Sequence, residues 1–253
     1  MIVSTSRGLY DLKEKKFIIE DNGPYFGVAK DSNNCIYAAR RGTSDVIILD
    51  ENYKKVGVIN TPTCVDAHGL EIYNNKIYIL STKSNDIIQA DLQSMEVEKI
   101  FRNTVGDKNP HMNSVEKIGD LLFIMSHRDN STNSSCIHLF SPEINRAFRF
   151  FNDLGEHCHT IKYYNSTFWY CDSFNSRVAS VDGDSIEIDS SQLVRGMALQ
   201  DNKLYVGLSE KASRADRHDS VDGEVVVFDF KSKKYIESIK IKNCGQVNEI
   251  LLH

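Results

Sequence analysis

One short motif recurs six times along this chain and introduces a strand pair of the same layout at each recurrence. The copies start at Phe26-Gly27-Val28, His68-Gly69-Leu70, Asn113-Ser114-Val115, His159-Thr160-Ile161, Arg195-Gly196-Met197 and Asn248-Glu249-Ile250. Most then run through a polar turn into an aromatic-bearing strand, as in Tyr73-Asn74-Asn75-Lys76-Ile77-Tyr78 and Leu199-Gln200-Asp201-Asn202-Lys203-Leu204-Tyr205. Successive starts are separated by 36 to 53 residues. That is the interval of a four-stranded blade, so the pattern predicts an all-β, six-bladed β-propeller of antiparallel blades. The last copy supplies only a first strand before the chain stops. The segments Ile2–Asp11 and Lys16–Glu20 read as the remaining strands of that same blade, so the two ends are expected to complete one sheet and leave no open edge. One domain over residues 1–253 follows, with no linker or low-complexity tract to divide it.

Register across the copies settles an ambiguity that local propensity leaves open. Asp86 to Phe101 carries enough Leu, Met, Glu and Lys to pass for a helix. The equivalent stretch Asp45 to Val58 is strongly β-branched, which predicts strands in both. Further strands are expected at Ile47–Leu49, Lys76–Leu80, Leu122–Met125, Thr167–Cys171, Leu204–Val206 and Glu224–Phe228. Two polar insertions, Ser126–Ser135 and Ser209–Gly223, interrupt the spacing between second and third strands.

Composition bounds the partners. The formal net charge of −5 lacks the surplus of Lys and Arg that a nucleic-acid surface needs. No apolar run approaches the ~20 residues that cross a bilayer. The N-terminal residues do not read as a secretory signal, so a cytoplasmic location is expected. The six cysteines, Cys35, Cys64, Cys136, Cys158, Cys171 and Cys244, form no CxxC pair and are expected to be reduced, mostly buried thiols.

In an antiparallel blade the first strand lies innermost, so first-strand starts and the loops after second strands share one face. The inner positions then read Pro24/Phe26, Asp66/His68, His111/Asn113, His157/His159, Leu193/Arg195 and Gln246/Asn248. Four of the eight histidines fall on these positions. Read as one extended strand, His157 and His159 would share a face at ~6.5–7 Å, a spacing that chelates a divalent ion. His68, His111, His157 and His159 are therefore the expected ligands of a divalent transition metal (Zn, Mn, Fe or Ni), with Asp66 ligating or orienting His68. The alternative is a plain polar channel or a metal-free ligand pocket. Arg195 is the one fixed cation of the inner set. It is expected either to clamp a carboxylate or phosphate or to neutralise Asp66 or Glu249. Asn113, Gln246 and Asn248 can orient a sugar-like ligand, Tyr25 and Phe26 can floor the pocket, and Arg7, Arg41, Lys83 and Arg128 can draw an anion to the mouth.

The strand Trp169-Tyr170-Cys171-Asp172-Ser173-Phe174-Asn175-Ser176-Arg177-Val178 resembles the blades of the superfamily that holds NHL-repeat, SMP-30/gluconolactonase and strictosidine-synthase propellers. More narrowly, the chain is similar to a bacterial propeller group of unknown function. The gluconolactonases place acidic and amide ligands around a divalent ion, and the resemblance puts Asn113, Asn248 and Glu249 at comparable positions, with histidines replacing much of the oxygen shell. Oligogalacturonate lyase, a seven-bladed enzyme, holds its metal with histidines that include a His-x-His pair, which His157 and His159 match. It has a glutamine where this chain has Leu154.

Together these readings predict a metal-dependent lyase, lactonase or isomerase acting on a small anionic, carbohydrate-derived substrate. His68, His111, His157 and His159 would hold the metal, Arg195 would anchor the anion, and Asp66 or Glu249 would serve as base or orienting group. The rival reading is a non-catalytic module that binds a protein or glycan partner.

Overall fold

The computed structural model describes residues 1–21, 23–43, 45–61, 64, 66–103, 111–127, 134–211 and 221–252. The fold is an all-β, six-bladed propeller of four-stranded antiparallel blades, with no helix among the described residues. The chain divides into two compact units. A central unit spans Phe26–His157, and a terminal unit joins Met1–Tyr25 to Cys158–His253.

The central unit is built from three blades. The first comprises β4 (Tyr25–Lys30), β5 (Ile36–Arg40), β6 (Asp45–Leu49) and β7 (Lys55–Asn60). The second comprises β8 (Ala67–Tyr73), β9 (Lys76–Ser81), β10 (Asp86–Asp91) and β11 (Val97–Arg102). The third comprises β12 (Met112–Ile118), β13 (Leu121–Ser126), β14 (Ser134–Ser141) and β15 (Arg146–Glu156). The ambiguous stretch after Asp86 is thus two strands, as repeat register requires.

Three blades also make up the terminal unit. One comprises β16 (His159–Tyr164), β17 (Thr167–Asp172), β18 (Arg177–Ser180) and β19 (Ser185–Glu187). The next comprises β20 (Gln192–Gln200), β21 (Lys203–Glu210), β22 (Gly223–Asp229) and β23 (Lys234–Ile241). The last runs in the order β24 (Val247–Leu251), β1 (Ile2–Thr5), β2 (Gly8–Asp11), β3 (Lys16–Glu20). Both ends of the chain therefore build one sheet, with Ile2 opposite Leu251 and Val3 opposite Ile250.

Why these segments form blades is visible in β9. Its residues Ile77-Tyr78-Ile79-Leu80 are all buried, because successive side chains point to opposite faces and both faces are covered. Ile77 and Ile79 enter the core shared with Tyr37, Val46 and Ile48 of the first blade. Tyr78 and Leu80 enter the core shared with Val115, Leu122 and Ile124 of the third. Each such side chain contributes ~1.5–3 kcal/mol on burial. The fourth strands do the opposite. β23 is largely exposed and carries Lys234, Glu237 and Lys240, the charges that keep an outer edge from pairing with another chain.

The turns into fourth strands repeat as well. Asp50 Oδ1 accepts the amides of Asn52 and Lys54 at 2.9 and 2.8 Å, and Asp91 Oδ1 accepts those of Gln93 and Ser94 at 2.9 and 2.7 Å. Asp11 and Asp229 close the equivalent turns in the terminal unit in the same way. The short side chain reaches its own backbone two residues on, which is why Asp recurs there. Among the described residues, no helix is long and apolar enough to cross a membrane.

Candidate functional site

In β8, β12, β16, β20 and β24 the recurring motif forms a β-bulge. Ala67 pairs with Ser81 but Leu70 with Ile79, so His68 and Gly69 stand against the single residue Leu80. Asn113 is the extra residue in β12, Thr160 in β16 and Asn248 in β24. In β20 the extra length is Arg195-Gly196. A bulge bends its strand and re-aims the side chain it carries. In these five blades the motif thus places a polar residue at or beside a kink in the first strand.

Two residues earlier, Asp66, His111 and His157 all adopt left-handed backbone, with φ of 66°, 55° and 51°. Non-glycine residues there cost of order 1–3 kcal/mol, and such strain is held only where the surroundings fix it. The fixing bond is a repeat feature. The first residue after a second strand donates its amide to that carbonyl, Thr82 to Asp66 at 3.1 Å and His127 to His111 at 3.3 Å, and Ser6 makes the equivalent bond to Gln246 at 2.9 Å.

In the central unit this geometry lines up five rings. Phe26 stacks on His68 with centroids 4.0 Å apart. His68 meets His111 edge-on at 5.4 Å, His111 stacks on His127 at 4.3 Å, and His127 meets His157 edge-on at 5.3 Å. Asn113 Nδ2 lies 3.1 Å from His127 Nδ1, so an amide proton meets the ring's lone pair and the ring's own proton sits on Nε2. At one end of the array Arg41 lies over the Phe26 ring, 5.6 Å from its centroid, and pairs with Asp66 at 3.0 Å. Asp66, expected to orient His68, is therefore the partner of Arg41.

His68, His111 and His157 do come together, and His127, the first residue after β13, is the fourth imidazole. They meet by their faces and edges. Among the described residues no group of three or more His, Cys, Asp or Glu is arranged to hold a metal ion. The His-x-His argument also loses its premise, because His157 precedes β16 in left-handed conformation and His159 opens the strand. As placed, the described side chains do not fit the expected metal.

In the terminal unit the first strands β16, β20 and β24 pack in succession. His159 is buried, with Nδ1 2.8 Å from Ser173 Oγ, and Ser173 donates to the Val194 carbonyl at 2.7 Å. Arg195 is 6% exposed and donates from Nη1 to Gln246 Oε1 at 3.1 Å. Asn248 donates to the Tyr25 carbonyl at 2.8 Å, and its Oδ1 is buried with no hydrogen-bond partner among the described residues. Thr160 donates to Glu249 at 3.4 Å. Gly196 has φ 72°, and a Cβ there would sit 3.1 Å from Glu249 Cα, so only glycine lets β20 and β24 approach this closely.

Cys171 lies beneath this cluster. Burial, the Glu249 carboxylate and Cys158 push its thiol well above the usual range, against the opposing pull of Arg195. It stays protonated and is no nucleophile. Cys158 is fully buried beside it, as expected of a packing residue.

The remaining expected residues are placed as follows. Tyr25 is buried, with its hydroxyl donating to Asp21 at 3.0 Å. Lys83 is exposed. Arg7 is paired with Glu20 at 2.6 Å. Arg128 lies outside the described residues, as do the middles of both polar insertions. Ser173 was not singled out from the sequence. The available signal was its repeat position, the first residue after a second strand, which it shares with Arg41, Thr82 and His127.

No protein-family profile matches the sequence, and no curated protein matches it. Solved structures do. The nidogen/laminin complex contains a chain with a TM-score of 0.71 at 9% identity, over 94% of this chain and 92% of that one. A protein of unknown function from Bacteroides caccae gives 0.70 at 12% identity, over 98% and 96%. Virginiamycin B lyase from Staphylococcus aureus gives 0.58 at 10% identity, over 85% and 83%. At such identities the likeness establishes the propeller fold.

Proposed function

We propose that this propeller is an enzyme that performs acid–base chemistry on a small carboxylate-bearing, carbohydrate-derived substrate held in the terminal unit. The observation that supports the reading is the run of adjacent, bulged first strands that carry buried His159, Arg195 and Asn248 within one unit. Arg195 binds the carboxylate through its planar fork. Gln246 steadies the guanidinium, and the Asn248 Oδ1 accepts a substrate hydroxyl. His159 is the base, because imidazole alone among unperturbed side chains exchanges its proton near neutral pH.

Lyase chemistry follows from this placement. His159 takes the proton from the carbon beside the carboxylate, and the electron pair of that C–H bond becomes the new C=C bond. The C–O bond one carbon further breaks, and the leaving oxygen keeps its electron pair and takes a proton from solvent. Lactone hydrolysis or isomerisation would use the same base on water or on the same carbon. That propellers carry lyases is seen in the Staphylococcus aureus neighbour.

The rival reading takes its support from the nidogen/laminin neighbour, whose propeller belongs to a protein complex. Titration calorimetry with D-galacturonate separates the two. The enzyme reading expects saturable binding that Arg195→Gln weakens at least tenfold. A wild-type protein that takes up no galacturonate, gluconate or aldonolactone overturns it. Elemental analysis of untagged protein tests the four-histidine metal expectation separately, with a stoichiometric transition metal as the positive result.

A further inference from the structure

Ser173 has one hydroxyl proton and two short contacts, to the Val194 carbonyl at 2.7 Å and to His159 Nδ1 at 2.8 Å. A carbonyl oxygen can only accept. If the hydroxyl proton turned to His159, the serine and carbonyl oxygens would face each other with lone pairs alone. The one arrangement that satisfies both contacts has Ser173 donating to Val194 and accepting from His159 Nδ1–H.

We infer that Ser173 is a positioning residue that fixes the tautomer of His159, leaving Nε2 as the basic nitrogen. The inference rests on the reading of His159 as base and specifies how that base is held. A neutral imidazole bears one ring proton, so anchoring it on Nδ1 places the lone pair on Nε2 for proton abstraction. The same outward hydrogen bond holds the ring plane, as partners of active-site histidines do. The anchor and the base are linked through the chain, because Val194, which receives the serine proton, immediately precedes Arg195 in the β20 bulge. Two of the histidines are thereby set in opposite senses by their neighbours. His127, fed an amide proton by Asn113, carries its proton on Nε2, and His159 carries it on Nδ1.

The direct readout is the ring itself. Long-range 1H–15N correlation spectra of the neutral protein, assigned with His159→Gln, report which nitrogen is protonated. The wild-type protein is expected to show His159 protonated at Nδ1. Ser173→Ala is expected to bring the Nε2–H form up to a substantial share, and Ser173→Thr to restore the wild-type pattern. In turnover, Ser173→Ala should lower kcat about tenfold or more with KM little changed, and should move the acidic limb of the pH profile. A wild-type His159 protonated at Nε2, or a spectrum that Ser173→Ala leaves unaltered, overturns the inference. The tautomer is read without substrate, so a failure to bind any sugar acid would sink the enzymatic reading while this result stood on its own.

Discussion

A histidine does what the protons on its two nitrogens allow, and this chain holds its imidazoles in distinct proton environments. His138 is the structural case. It is fully buried in β14 of the central unit, with Nδ1 3.2 Å from Asn103 Nδ2 and Nε2 3.1 Å from Cys136 Sγ. Burial, with repulsion from Arg149, pushes its imidazole down to about 4. An unfolded chain titrates near ~6.5, so between those values the unfolded state binds the extra proton. Stability from this residue is therefore complete above ~6.5 and falls as pH drops towards 4, by up to about 3 kcal/mol. Denaturant melts at pH 7.5 and 4.5 should show that loss, and His138→Gln should flatten the difference. An unchanged pH slope in the variant would contradict the assignment. His159 differs because its ring meets a serine hydroxyl at a bulge, a setting compatible with catalysis.

Strands carried most of the legible information. Continuous apolar runs such as Ile77–Leu80 mark blades buried on both faces, and repeat register outweighed the helical propensity of Asp86 to Phe101. Ambiguous stretches resolve when six copies must agree. The bulges were less legible, because one extra residue in a first strand barely alters an alternating pattern. Their effect is large, however, since a one-residue shift sends a side chain to another face. His157 and His159 fail to form the extended same-face pair for a separate reason, because His157 precedes β16 in left-handed backbone. Asp66 was expected to support His68, but a carboxylate seeks the nearest strong donor, and Arg41 reaches it from the neighbouring blade. Ser173 was hidden by its company. Asp172-Ser173-Phe174-Asn175 reads as an ordinary turn, and only hydrogen-bond distances single the serine out.

At the scale of the molecule, the terminal unit depends on strands from both ends of the chain. β24 pairs with β1, and Val3 and Tyr10 share a core with Val225, Val247 and Ile250. Deleting residues 1–10 removes β1, most of β2 and the buried side chains of Ile2, Val3, Leu9 and Tyr10. At ~1.5–3 kcal/mol each, that loss is about 6–12 kcal/mol, comparable to the whole stability of an ordinary domain, ~5–15 kcal/mol. The deletion variant is expected to lack a cooperative thermal transition, and one that melted like the full chain would refute closure by the termini. Closure matters for function because it brings Gln246 beside Arg195 and Glu249 beside Gly196. The central claim is that this corner of the terminal unit holds a carboxylate between Arg195 and the His159 base. Its most direct test is a crystal structure with D-galacturonate. The account predicts the carboxylate in two-point contact with Arg195 and the adjoining C–H within reach of His159 Nε2; a galacturonate seated away from Arg195 would contradict it.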